Sequence, residues 1–246
     1  MNLLQKKSKR LFNTLLLLIV FCLSNNYGQE SAQAILNKSI EYHDPNGILA
    51  KKKAVLHFTE TRPNGSDRKT VVKLHPAKEA FEMNRTIDNN RIITTLKKGL
   101  YSHTFNEQLP SQDQIEKYRL TDERSDMMRT YYHYLWYMPM KLTDPGTIIH
   151  EDVEQTNFFG KESLQIKVTY ESAVGEDIWY FYFSPTSYAL IGYRFYHDES
   201  ANDGEYILFE GEATYKSVRI PKSRTWYTHK EDKLLGTDIL DRLVIK

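Results

Sequence analysis

The stretch Glu162-Ser-Leu-Gln-Ile-Lys-Val-Thr-Tyr-Glu171 sets Leu164, Ile166, Val168 and Tyr170 in strict alternation with Gln165, Lys167 and Thr169. Successive side chains of a strand point to opposite faces, so this pattern describes a strand with one apolar and one wet face. Its neighbour, Trp179-Tyr-Phe-Tyr-Phe183, is aromatic on both faces and predicts a mid-sheet strand. Outward from these two, the meander continues with strands over Thr147 to Gln155, Tyr188 to Asp198, Glu205 to Lys216, Arg219 to Thr228 and Gly236 to Ile245.

The first half repeats the scheme. Ala54, Leu56 and Phe58 face one way in Lys52 to Thr61, and Pro63-Asn-Gly-Ser-Asp67 reverses the chain into Lys69 to His75. Ala80 to Ile87 buries Phe81, Met83 and Ile87; Asp88-Asn-Asn90 turns into Arg91 to Lys97, and Lys98-Gly99 leads into Leu100 to Phe105. Turns this short make neighbours antiparallel, because parallel neighbours need crossovers of about a dozen residues.

Helical spacing replaces the period of two in two places. Ser31 to His43 repeats Ile35, Leu36, Ile40 and His43 before Asp44-Pro-Asn-Gly47 stops it. Gln112 to Tyr118 and Thr121 to Tyr137 predict a helical insertion over about 112–138. Its second helix carries one apolar row, Met127, Tyr131, Leu135 and Met138, beside another, Met128, Tyr132 and Trp136. The expected fold is mainly β (α+β): over residues 29–246, a single, strongly curved antiparallel sheet of about 11–12 strands, which the resemblance given below makes an incomplete β-barrel. The N-terminal helix and the helical insertion pack in its concave face.

Residues 1–28 read as a secretory signal peptide: Lys6, Lys7, Lys9 and Arg10 precede an apolar run from Leu11 to Leu23. That run falls short of the roughly 20 apolar residues a bilayer span requires, so no transmembrane span is expected after its removal. Cleavage after Gly28 is the favoured outcome; lipid anchoring at Cys22, the only cysteine, is disfavoured because the bulky Phe21 precedes it. Losing the signal removes four basic and no acidic residues, so the formal charge falls from +1 to −3. A weakly acidic chain with interspersed charges lacks the basic footprint of a nucleic-acid binder.

No catalytic signature emerges. Eight histidines are scattered without HExxH or another metal-binding spacing, and no GxSxG occurs. Asp198, Glu199, Asp203 and Glu205 crowd one turn and read as a solvated hairpin. Neither a metal site, a catalytic residue nor a cofactor is expected, and a secreted hydrolase or metal enzyme is the least favoured class.

Five stretches carry a resemblance: Leu135-Trp-Tyr-Met-Pro-Met-Lys-Leu-Thr-Asp-Pro-Gly146, Trp179-Tyr-Phe-Tyr-Phe-Ser-Pro185, Gly192-Tyr-Arg-Phe-Tyr-His-Asp198, Asp203-Gly-Glu-Tyr206 and Arg219-Ile-Pro-Lys222. With them the chain resembles an uncharacterised envelope-protein family of Bacteroidota. That family is similar in outline to periplasmic lipoprotein carriers and receptors of the LolA/LolB type, whose incomplete antiparallel barrel holds an apolar cavity under helical lids. The resemblance implies a periplasmic or secreted protein whose partners are a lipid or lipoprotein ligand, or another envelope protein. No motif of the carriers maps onto particular residues here.

Two interiors fit this pattern, a filled core and a cavity for an acyl chain. For the cavity, Met127, Tyr131, Leu135 and Trp136 are candidate lid residues, and Phe81, Met83, Phe181 and Phe195 are candidate walls.

Overall fold

A computed structural model describes residues 30–65 and 67–246. The expectations placed on residues 1–28, including signal cleavage and Cys22, lie outside the described residues. Residues 31–246 form one compact unit. Among the described residues no helix is long and apolar enough to cross a membrane.

The strands are β1 (Ala54–Thr61), β2 (Arg68–His75), β3 (Ala80–Ile87), β4 (Asn90–Lys97), β5 (Leu100–Phe105), β6 (Thr147–Phe158), β7 (Lys161–Tyr170), β8 (Ile178–Phe183), β9 (Leu190–Asp198), β10 (Asp203–Tyr215), β11 (Val218–Thr228) and β12 (Leu234–Ile245). They form one antiparallel sheet in the order β5-β4-β3-β2-β1-β12-β11-β10-β9-β8-β7-β6. The first five strands therefore step outward from the centre to one edge. The helical insertion then carries the chain to the opposite edge, and seven strands step back until β12 lies beside β1. Ala54 pairs Ile245 and Thr61 pairs Thr237, with a register shift between His57 and Phe58. β5 and β6 are the two outer strands, so the sheet stays open, an incomplete β-barrel as the resemblance implies.

Four α-helices complete the unit: α1 (Ala32–His43), α2 (Ile48–Lys51), α3 (Gln112–Tyr118) and α4 (Asp122–Trp136). Ser31 caps α1 by accepting from the Ala34 N–H. The turn after α1 does more than stop it. Asp44 is buried; its backbone N–H donates to the Ile40 carbonyl and its carboxylate accepts from the N–H groups of Ile48 and Leu49, both at 2.8 Å, so one residue ends α1 and starts α2. Ser111 and Gln114 form a capping box on α3, and Thr121 caps α4.

The two apolar rows of α4 are explained by what they touch. Leu135, with Met138 and Leu142 beyond the helix, packs into a core made by α1 and strands β7 to β10, including Ile166, Phe181, Tyr193 and Phe209. Tyr132 and Trp136 pack into a second core with Leu56, Phe58, Val72, Phe81 and Leu240. The helix thus wedges between the two halves of a curved sheet, which is why it needs more apolar surface than a helix lying on a flat one.

The wedge is pinned by a buried cation. Arg224 on β11 is fully buried, lies 4.0 Å from the Trp136 ring centroid and donates to the Leu135 carbonyl. The adjacent Asp238 accepts from the Tyr131 hydroxyl at 2.6 Å and pairs with Arg62 at 2.9 Å. His43, buried at the end of α1, uses both ring nitrogens: Nδ1 donates to the Arg219 carbonyl (2.7 Å) and Nε2 accepts from the Leu190 N–H (2.9 Å). These partners require the neutral ring, and burial lowers its pKa to about 4.

Candidate functional site

Strand registers build the site row by row across the concave face. One row runs Leu56, Val72, Met83, Thr94, His103; the next runs Phe58, Thr70, Arg85, Ile92, Phe105. Glu60 and Arg68 pair at the end of β1 and β2. Side chains two apart on β3 therefore deliver Met83, Arg85 and Ile87 to one surface.

Helices α3 and α4 cover that surface at the β5 side of the sheet. Tyr118 of α3 packs on Phe105, with ring centroids 5.4 Å apart, and Tyr101 donates to Asp126 of α4 at 3.0 Å. Between helices and strands lies a cleft of about 200 Å³. Its apolar lining is Met83, Ile87, Ile92, Leu120 and Met128, and its charged lining is Arg68, Arg85, Lys117, Arg119 and Arg124. Among the described residues no carboxylate lines it. On its far side Arg119 and Arg124 also line an outer groove of about 640 Å³ between α3 and α4, with Ile115, Glu116, Glu123 and Met127.

The inner end of the cleft is set by a closed polar network. Tyr132 Oη donates to Glu60 Oε1 at 2.6 Å and accepts from the Arg85 guanidinium at 2.7 Å. Thr70 Oγ1 donates to Glu60 Oε2 at 2.6 Å and accepts from Arg85 Nε at 3.2 Å. Arg68 and Arg85 stand 3.6 and 3.7 Å from the same carboxylate. Burial alone would push the Glu60 carboxyl up, but Arg85, Arg68 and the two hydroxyl donors outweigh it and hold it below the ordinary range. Burial and neighbouring arginines lower the Arg68 pKa, although Glu60 opposes them.

The outer end is different. Arg119 closes α3 in a left-handed conformation (φ 53°), which places it at the corner between α3 and α4. Arg124 sits in the first turn of α4, and its guanidinium lies 3.5 Å from Met127 Sδ. Burial, followed by Arg119, Arg85 and Arg68, lowers the Arg124 pKa. Among the described residues no carboxylate pairs with Arg119 or Arg124.

The eight residues singled out from sequence distribute as follows. Met83 lines the cleft and Met127, half exposed, lines the outer groove. Tyr131 borders a smaller pocket with Arg62, Glu205 and Trp226. Leu135, Phe181 and Phe195 lie in the α1 core, and Trp136 and Phe81 in the other. The structure does not gather these eight in one place. The basic residues of the cleft were not among them, although Arg85 falls in phase with the inward-facing Phe81 and Met83, a readable signal. Among the described residues no group of three or more His, Cys, Asp or Glu side chains is placed to hold a metal ion.

Sheet, insertion and cleft together define a class of protein: an open antiparallel barrel with helices laid into its concave face. The chain belongs to a family of unknown function, DUF6503, whose model matches residues 9–241. Among solved structures it is similar to a DUF1329 family protein from Desulfovibrio piger, at 6% identity and TM-score 0.50 over 87% of this chain and 93% of that one. It is also similar to a LolA superfamily protein from Nitrosomonas europaea (10% identity, TM-score 0.49, 89% and 94% covered). A putative outer membrane lipoprotein-sorting protein domain from Vibrio parahaemolyticus matches with 10% identity and TM-score 0.49, over 87% and 90%. These likenesses concern the fold. No curated protein matches the sequence.

Proposed function

We propose that this is an exported cell-envelope protein of non-enzymatic type that binds a lipid, an acylated protein or another apolar ligand on the concave face of its sheet. The observation that carries the reading is the cleft of about 200 Å³ between sheet and insertion, with Met83, Ile92 and Met128 on its walls. Flexible methionines beside β-branched side chains suit a chain-like apolar ligand, because they adapt to it at low cost. The centre of the concave face is filled by Phe58, Tyr132 and Trp136, so binding is confined to the β2 to β5 side. Native mass spectrometry of protein purified from the periplasm tests this: an apolar adduct is expected, reduced in Met128→Trp, which fills the cleft. A clean apo mass, together with no displacement of the neutral probe N-phenyl-1-naphthylamine, would refute it.

A second reading, an envelope protein-protein interaction module, is favoured by one observation. β6 is an outer strand of 12 residues, long enough to pair with a partner's strand. Crosslinking in cells that yields one dominant protein partner and no lipid would select it.

A further inference from the structure

The cleft combines two properties that a simple grease pocket lacks together. It has apolar walls, yet five cationic side chains line it and, among the described residues, no carboxylate does. Two of those cations are already matched: Glu60 sits against Arg85 and Arg68, with its lone pairs also taken by Thr70 and Tyr132. Among the described residues Arg119, Arg124 and Lys117 have no such carboxylate partner, and Lys117 approaches the ring of Tyr118 at 5.2 Å. Like charges held together beside an apolar surface repel one another, which costs stability unless an anion arrives. The crowding is visible in the lowered Arg124 pKa, caused by burial and then by Arg119, Arg85 and Arg68. Glu116 and Glu123 line the outer groove and not the inner cleft.

Position matters as much as charge. Arg119 and Arg124 are shared by the inner cleft and the outer groove, so they stand where a molecule lying in the cleft would emerge. The inner volume, about 200 Å³, is below the roughly 300 to 1,000 Å³ of ordinary ligand sites, which rules out a bulky two-chain body inside it. We propose that the cleft takes a single-chain amphiphile with an anionic head, its chain against Met83, Ile92 and Met128 and its phosphate or carboxylate held by Arg119 and Arg124. This rests on the reading of the cleft as an apolar-chain site and adds the charge of the head. Guanidinium groups suit the role because they bind planar oxyanions through paired N–H donors.

Calorimetric titration below the critical micelle concentration tests it with probes sharing one chain: dodecyl phosphate, dodecanoate, the neutral monolaurin and cationic dodecyltrimethylammonium, with inorganic phosphate as the chainless control. Both anionic probes are expected to bind at least about tenfold tighter than monolaurin, the cationic probe weakest and inorganic phosphate not measurably. Raising salt from roughly 0.05 to roughly 0.5 M should narrow the advantage of the anions. In the Arg119→Gln/Arg124→Gln double variant the ratio of anionic to neutral affinity should fall below about threefold. Should that variant not fold, the probe series on the unaltered protein decides alone. Equal binding of monolaurin and dodecyl phosphate overturns the inference while the apolar reading stands. Inorganic phosphate binding as tightly as dodecyl phosphate overturns it too, as a plain anion site. If no probe binds, the apolar reading fails with it.

Discussion

Replacing Tyr132 with Phe removes one oxygen and leaves the ring that packs on Phe58, 5.5 Å between centroids. That hydroxyl is buried and makes two bonds to charged groups, 2.6 Å to Glu60 and 2.7 Å from Arg85. Hydrogen bonds to charged groups contribute about 1.5–3 kcal/mol each, and the two ions keep their Thr70 partners, so Tyr132→Phe should cost about 2–4 kcal/mol. Glu60→Gln should cost about 3–5 kcal/mol, because it leaves the buried guanidinium of Arg85 without its countercharge. The double variant should cost less than the sum by about 1–2 kcal/mol, since both changes strike the same bond. Urea unfolding of the four proteins, followed by circular dichroism and by tryptophan fluorescence, supplies the numbers if the two signals coincide. A Tyr132→Phe cost under about 0.5 kcal/mol, or strict additivity, would show that the network is not the stabilising unit described.

Acid should weaken the fold in two overlapping windows. His43 titrates near 4 when folded against 6.5 ordinarily, so its neutral form stabilises fully above pH 6.5 and that contribution is lost as pH falls toward 4. At 1.36 kcal/mol per pH unit the loss reaches about 3 kcal/mol, and His43→Gln should flatten the midpoint-versus-pH curve in this window. Glu60, with its pKa depressed, contributes above its ordinary value of 4.5 and loses that contribution as pH falls through its lower folded value. Trp136→Ala should cost about 3–5 kcal/mol by thermal unfolding, because Trp136 is only 1% exposed and belongs to the core. Gly204→Ala should cost about 2 kcal/mol or more in the same assay: φ is +150° there, and a Cβ would meet the Phe195 carbonyl and stand 2.9 Å from Tyr196 Cα.

Alternation made the sheet legible. The inward series Leu164, Ile166, Val168 and the outward series Gln165, Lys167, Thr169 leave one register that buries the apolar set, and turns such as Asp88-Asn-Asn90 dictate antiparallel neighbours. The bounds of α3 were readable for a local reason, since Ser111 and Gln114 satisfy each other across its first turn. The short helix α2 was not legible, because Asp44 reads as a stop signal until its carboxylate is seen holding the next helix. The wide apolar face of α4 admitted two meanings, a lid over a cavity and part of a filled core, and neither told that the helix packs into two cores at once. The polar floor of the cleft was partly written in the pattern. Glu60, Thr70 and Arg85 each continue the inward series of their strand, but their mutual contact depends on pairing across three strands, which periodicity within one strand cannot supply.

The seam between β1 and β12 joins residues 191 positions apart, Ala54 to Ile245. Before that pairing forms, the chain is two separate meanders, each with an unpaired edge and half a concave wall. Pairing at such separation has a slow entropic step, because a long loop must close before any contact rewards it. Synthesis delivers β12 last among these strands, so the sheet stays unsealed until the ribosome has made them all.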